Sequence, residues 1–188
     1  MQLTLPRAKE LLATTTTEGH LFEHAQAVSA CMGAMAKHFS ADETYWQAVG
    51  WLHDYDFEQY PDEHLQHTEQ PLRDAGVDEQ SIYAIMSHGY GLCDQVEPKS
   101  DLDKSLYTVD ELSGLVAATA KMHPEGIAAL KVSSVKKKFK DKRFAAKIDR
   151  AVIQDGCDRL GMDLGDVITL CIEGMTPVAA ALGIGPKA

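Results

Sequence analysis

No apolar run in this 188-residue chain approaches the roughly 18 residues needed to cross a bilayer, so no membrane span is expected. The N-terminal MQLTLPRAKELL reaches Arg7 and Lys9 too soon to contain the apolar core of a signal peptide. Cysteine is sparse. Cys31, Cys93, Cys157 and Cys171 form no C-x-x-C pair, which excludes a disulfide scaffold and leads us to expect reduced, buried thiols and a cytoplasmic protein. Sustained period-2 alternation is missing, and so are internal repeats and low-complexity linkers, so strands, solenoids and collagen-like folds are not expected.

Hydrophobic residues make up 45% and charged residues 24%, the balance of a globular chain able to bury a core. The net charge of −10 is unevenly spread. Residues 131–150 carry nine Lys or Arg against two Asp, whereas the remaining chain carries nine basic and 26 acidic groups. An acidic body repels nucleic acid, so a nucleic-acid-coating role is excluded, while the basic stretch can attract a local anion.

Helical periodicity fills the space that strand signals leave empty. Thr15-x-x-Glu18 and Ser40-x-x-Glu43 have the form of capping boxes. Behind the first, Leu21, Val28, Met32 and Met35 recur at helical spacing; behind the second come Trp46, Val49 and Leu52. Asp78 is expected to open a helix carrying Ile82, Ile85 and Met86, and Asp101 or Asp103 one carrying Leu106, Val109, Leu112 and Val116. Pro71 should kink a helix within 62–75 or confine it to a late start. A last amphipathic helix carries Val167, Leu170, Ile172 and Met175, and Gly183 and Gly185 are expected to end it. The expected fold is all-α, one domain over residues 1–188 of about eight to ten helices at ordinary helix lengths.

Eight histidines are the first chemically informative count. A His-Asp doublet means little, since this composition produces about 0.7 of them by chance. Context says more. His24 shares a helix face with Val28, Cys31 and Met35, His53-Asp54 closes AVGWLHD, His88 closes SIYAIMSH, and Asp110 sits beside Val109 and Leu112. Each is a polar group on or beside an apolar face, where an unpaired group is costly.

The ordered series His24, His53-Asp54, His64, His88, Asp110, with LHD closing a helix, HLQHTEQPLRDAGVDE following, then IMSH and VDELS, resembles the HD-domain superfamily of metal-dependent phosphohydrolases. The resemblance covers about residues 17–120, and it implies a helical HD-type bundle in which about 124–183 serve as packing support. It also implies that His24, His53, Asp54 and Asp110 bind one metal ion, and that His64 and His88 bind a second bridged by Asp54, with His53 and Asp54 central to catalysis. His64 is preferred to His67 because it keeps the family's spacing to the Ala-Gly turn. The chain departs from the family's common form at HDYDF, where many members carry a small residue, Gly and Lys after the doublet.

Imidazole and carboxylate together suit Mn, Fe, Co, Ni or Zn, one or two ions per chain. Such an ion brings the pKa of water to about 7, and two of them against two aspartates leave about +2 for a phosphate. The expected activity is hydrolysis of a small phosphate ester, perhaps a nucleotide, by metal-activated water. The alternatives are a di-iron oxygenase of the HD type and a non-catalytic helical signalling or binding module. Lys136, Lys137, Lys140 and Arg143 in KVSSVKKKFKDKRF are candidate phosphate contacts, with a solvated basic helix face as the plain alternative. Ser133 or Ser134 is a candidate cap there, and HGYGLC a turn able to shape a pocket.

Overall fold

The computed structural model describes residues 2–187. Among these, nine α-helices and no strand are found: α1 (Leu5–Leu12), α2 (Gly19–His38), α3 (Glu43–Leu52), α4 (Glu69–Asp74), α5 (Glu79–Ser87), α6 (Asp101–Met122), α7 (Val132–Lys140), α8 (Arg150–Leu160) and α9 (Leu164–Met175). The two longest, α2 and α6, lie against each other at the centre. Helix α3 packs on α2 and α1, α5 on α6 and α3, α8 on α6, and α9 on α2 and α6. One contiguous core runs from Leu3 to Ile184, with Met32, Met35, Leu52, Ile85, Leu106, Leu112 and Leu115 fully buried.

The helix starts show where local signals were overruled. No side chain caps α2 from its N-cap residue, Glu18. The Glu58 carboxylate reaches across instead, accepting from Thr17 N (2.8 Å) and Glu18 N (3.0 Å), so the expected Thr15 box is replaced by a tertiary contact. The Ser40 box also fails. Ser40 adopts a positive φ of 55°, and Asp42 Oδ1 caps α3 by accepting from Thr44 N and Tyr45 N. Asp78 caps α5 as expected, accepting from Ser81 N. Helix α6 opens at Ser100, with Asp103 completing a reciprocal capping box. Pro71 lies in the first turn of α4, where its missing N–H needs no helical partner; the late start is what the chain adopts. Helix α9 ends at Met175, before Thr176-Pro177, rather than at the later glycines. Lys131, not a serine, is the N-cap residue of α7.

Two contacts set the angles that matter for the site. Asp78 accepts from Leu3 N (2.9 Å) and from Tyr45 Oη (2.9 Å), tying the start of α5 to α3. Gly50 brings α3 close onto α2. A Cβ there would lie 2.8 Å from Met32 Cγ and 3.1 Å from Ser29 Cα, so only glycine permits the approach. Cys31, Cys157 and Cys171 are buried as expected, but Cys93 is exposed, because it sits in the turn after α5 rather than on a helix face. No helix among the described residues is long and apolar enough to cross a membrane.

Candidate metal centre

His24 projects from the second turn of α2, and Asp110 from the middle of α6. His53 and His88 occupy equivalent places, the C-cap positions of α3 and α5. Both rings use the same local device. His53 Nδ1 donates to Gly50 O at 2.9 Å and His88 Nδ1 to Ile85 O at 2.6 Å, each satisfying a carbonyl of the helix's last turn. A carbonyl only accepts, so Nδ1 carries hydrogen in both rings, and in the neutral ring Nε2 presents a bare lone pair.

His64 lies between Pro61–Glu63, a short 3-10 turn, and α4. Its Nδ1 donates to Asp56 Oδ1 at 2.7 Å. Asp56 is buried and also accepts from Leu65 N (3.1 Å) and His67 N (3.0 Å), so one carboxylate shapes the whole His64 turn. Burial pushes its carboxyl up, and these donors outweigh that and hold it below the ordinary range. Leu65, fully buried, adopts a φ of 71° in this turn, a conformation a branched side chain adopts only when its surroundings impose it.

The six expected ligands converge. His24 Nε2 lies 2.9 Å from Asp110 Oδ1, 3.2 Å from His53 Nε2 and 3.5 Å from Asp54 Oδ2. His53 Nε2 lies 3.3 Å from both Asp54 Oδ2 and Asp110 Oδ1. On the other side of Asp54, His64 Nε2 is 3.1 Å from His88 Nε2, and Asp54 Oδ1 is 3.4 Å from His64 Nε2 and 3.7 Å from His88 Nε2. Donor atoms around an ion with bonds of 2.0–2.2 Å sit about 2.8–3.6 Å apart, between octahedral and tetrahedral geometry. All but the last of these separations fall in that range. His24, His53 and Asp110 form one group that could hold a metal ion, and His53, Asp54 and His88 another.

The electrostatics suit a cation. Burial lowers the His53 pKa, but the Asp54 and Asp110 carboxylates outweigh it and hold the ring well above its usual value. The same contest, won mainly by Asp110, raises His24. Asp54 and Asp110 are half-buried, and desolvation pushes their carboxyls up, yet the facing imidazoles hold them well below the carboxylate range.

A cavity of about 500 Å³ opens onto this cluster. Beyond the ligands, Leu21, Phe57, Leu92 and Ile148 line it, together with Glu111. Burial, then the charge of Asp110, raises the Glu111 carboxyl to about 7, while its Oε2 accepts from Asp149 N at 3.0 Å. Gly89, Leu92 and Cys93 of HGYGLC are on the wall, in keeping with a pocket-shaping turn. Ile148 arrives on the segment before α8, where Arg150 gathers the carbonyls of Phe139, Asp141, Phe144, Ala145 and Ile148.

None of Lys136, Lys137, Lys140 and Arg143 is among the described residues lining this cavity. Lys136 pairs with Asp163 at the start of α9 (2.9 Å), and the Arg143 side chain is 96% exposed. His67 faces outward, stacked on Tyr60 and paired with Glu63. The residues that sequence reasoning passed over are Asp56 and Glu111. Both stand close to the motif, but no local pattern distinguishes them from other acidic residues, and only packing brings them to the site. Comparison of the chain with protein-family models, with curated proteins and with solved structures found no match.

Proposed function

We propose that this chain is a metal-dependent phosphohydrolase of the HD type, holding two divalent transition-metal ions and cleaving a small phosphate ester. The observation that carries the reading is the placement of Asp54. Its Oδ2 faces His24 and His53, its Oδ1 faces His64 and His88, and Asp110 adds an oxygen donor on the first side. A carboxylate turned to two imidazole pairs at once is what a bridging ligand requires, and a single structural hydrogen bond requires neither.

His24, His53, Asp54 and Asp110 would hold one ion, and His64, His88 and Asp54 the other. Mixed imidazole and carboxylate donors favour Mn, Fe, Co, Ni or Zn over Mg or Ca. Ions in these places would supply Lewis acidity and a water ionising near neutral pH, with a pKa of about 7. The chain's own part is orientation. The Gly50 and Ile85 carbonyls and the Asp56 carboxylate fix three rings with Nε2 inward, and Leu21, Phe57, Leu92 and Ile148 place an apolar wall beside them. In the hydrolysis, oxygen from water forms a new bond to phosphorus, the ester P–O bond breaks, and the alcohol leaves with a proton.

The test is phosphate release from a panel of monoesters by protein loaded with Mn, Co, Ni or Zn. Release that falls at least about a hundredfold in Asp54→Ala, within the range typical of losing a metal-centred site, supports the reading. A metal-loaded protein that releases none overturns it. Because no Lys or Arg is among the described residues lining the cavity, a di-iron oxygenase remains the second reading. Oxygen consumption by the Fe(II)-loaded protein would favour it.

A further inference from the structure

The wall of the site cavity is as specific as its floor. Leu21, Phe57, Leu92 and Ile148 surround the ligand cluster, and no Lys or Arg is among the described lining residues. Phe57 and Leu92 are 37% and 55% exposed, two of the few large apolar side chains left open to solvent among the described residues, and both stand on this one cavity. A single exposed apolar residue is unremarked on any surface, but two that meet on the rim of a concave polar site make a contact surface for a ligand. Phe57 stands edge-on to the His64 ring with centroids 5.3 Å apart. Three cations of the basic stretch are engaged elsewhere. Lys136 pairs with Asp163, Lys138 lies over the Phe144 ring, and Arg150 is held by backbone carbonyls.

We infer that the substrate of this site carries one phosphate and an uncharged, apolar leaving group, an alkyl or aryl phosphate rather than a di- or triphosphate. The inference rests on the phosphohydrolase reading and names its substrate class. Two divalent ions against Asp54 and Asp110 leave about +2, which a single phosphate dianion neutralises. A second phosphate or a carboxylate farther along the ligand would be desolvated against Leu92, Phe57 and Ile148, beside Glu111, with no Lys or Arg to meet it; the imidazole of His20, also on the wall, is exposed and lies 3.8 Å from Glu18. An alkyl chain or ring instead gains by covering those side chains.

Binding of non-hydrolysable phosphonates to the metal-loaded protein, followed by calorimetry, tests this without turnover. For methyl-, butyl- and hexylphosphonate, Kd should tighten by up to about fourfold per added methylene that the wall covers. Phosphonopropionate, near butylphosphonate in length but ending in a carboxylate, should bind at least about tenfold more weakly than butylphosphonate. Leu92→Lys, at an exposed position that leaves the core intact, should flatten the chain-length series and narrow that tenfold gap. A flat wild-type series, or phosphonopropionate binding as tightly as butylphosphonate, overturns the inference while leaving the phosphohydrolase reading in place. Failure of every phosphonate to bind a protein shown to carry its metal overturns both.

Discussion

His64 Nε2 and His88 Nε2 face each other at 3.1 Å although both rings already donate from Nδ1, His64 to Asp56 and His88 to the Ile85 carbonyl. Two neutral rings so oriented would turn lone pair against lone pair. The arrangement is resolved by a proton or by a cation between them, and Asp54 Oδ1 stands where it would complete a cation's coordination. On the other side of Asp54, His24 and His53 approach to 3.2 Å beside Asp110, where only His53 is committed to donate from Nδ1 and His24 Nε2 can instead donate to Asp110 Oδ1.

Metal content should therefore divide along Asp54. Protein purified without chelator is expected to carry two transition-metal ions per chain by elemental analysis. His64→Ala should lose one and keep the ion on His24, His53 and Asp110, whereas Asp54→Ala should weaken both. One ion in the wild type, unchanged by His64→Ala, would restrict the centre to the α2, α3 and α6 donors.

Asp56 should act through His64. Asp56→Asn keeps the size but exchanges a carboxylate acceptor for an amide, and it weakens the bonds to Leu65 N and His67 N as well. Loss of such a partner typically lowers metal affinity about 10–100-fold. Competition titration against a chromophoric chelator should show this for the ion on His64 and His88 alone, with the other ion's affinity within about threefold of wild type, the scatter usual for a site left untouched.

The crossing of α8 over α6 depends on Gly156. A Cβ there would stand 2.1 Å from Thr108 Oγ1 and 3.1 Å from Thr108 Cα, so Gly156→Ala forces the helices apart. Overpacking of this kind costs about 1–3 kcal/mol. Chemical denaturation should show that loss, and metal stoichiometry should not change, because the ligands come from α2, α3, α5, α6 and the His64 turn.

Asp78 should make part of the stability acid-sensitive. Burial pushes its carboxyl up, but Ser81, Leu3 and Tyr45 outweigh it and hold the folded-state pKa below the ordinary 3.8. A depressed carboxyl contributes stability that is fully present above its unfolded value and is lost as pH falls through the folded one. Asp78→Ala should therefore cost about 1–2 kcal/mol at pH 7, mostly the cap of α5, and less at pH 3. A difference between wild type and variant that is unchanged from pH 7 to pH 3 would show that the charge of Asp78 is not involved.

Much of the site is written in helical periodicity. His24 and Asp110 stand on the apolar stripes of α2 and α6, and His53 and His88 stand one residue past the ends of α3 and α5. Such spacing is local, so it can be read along the chain. The two capping-box patterns are local in the same way, and the fold uses neither. Thr15 and Ser40 have the right neighbours in sequence, but Glu58 and Asp42 have the better geometry in space.

The amino-acid order is enough to commit the chain to helices and to bring His24, His53, Asp54, His88 and Asp110 to an apolar face or a helix end, because an unpaired imidazole or carboxylate there must find a partner. Packing decided the rest. Separations of 3.3–3.7 Å between Asp54 and four rings depend on how α3 meets α2 at Gly50 and how α5 is tied to α3 through Tyr45 and Asp78. Packing also chose Asp56 from several acidic neighbours to orient His64, and turned Lys136 to Asp163 rather than toward the cavity. These are contacts between residues distant in sequence or outside the helical repeat, and no spacing rule along one helix encodes them.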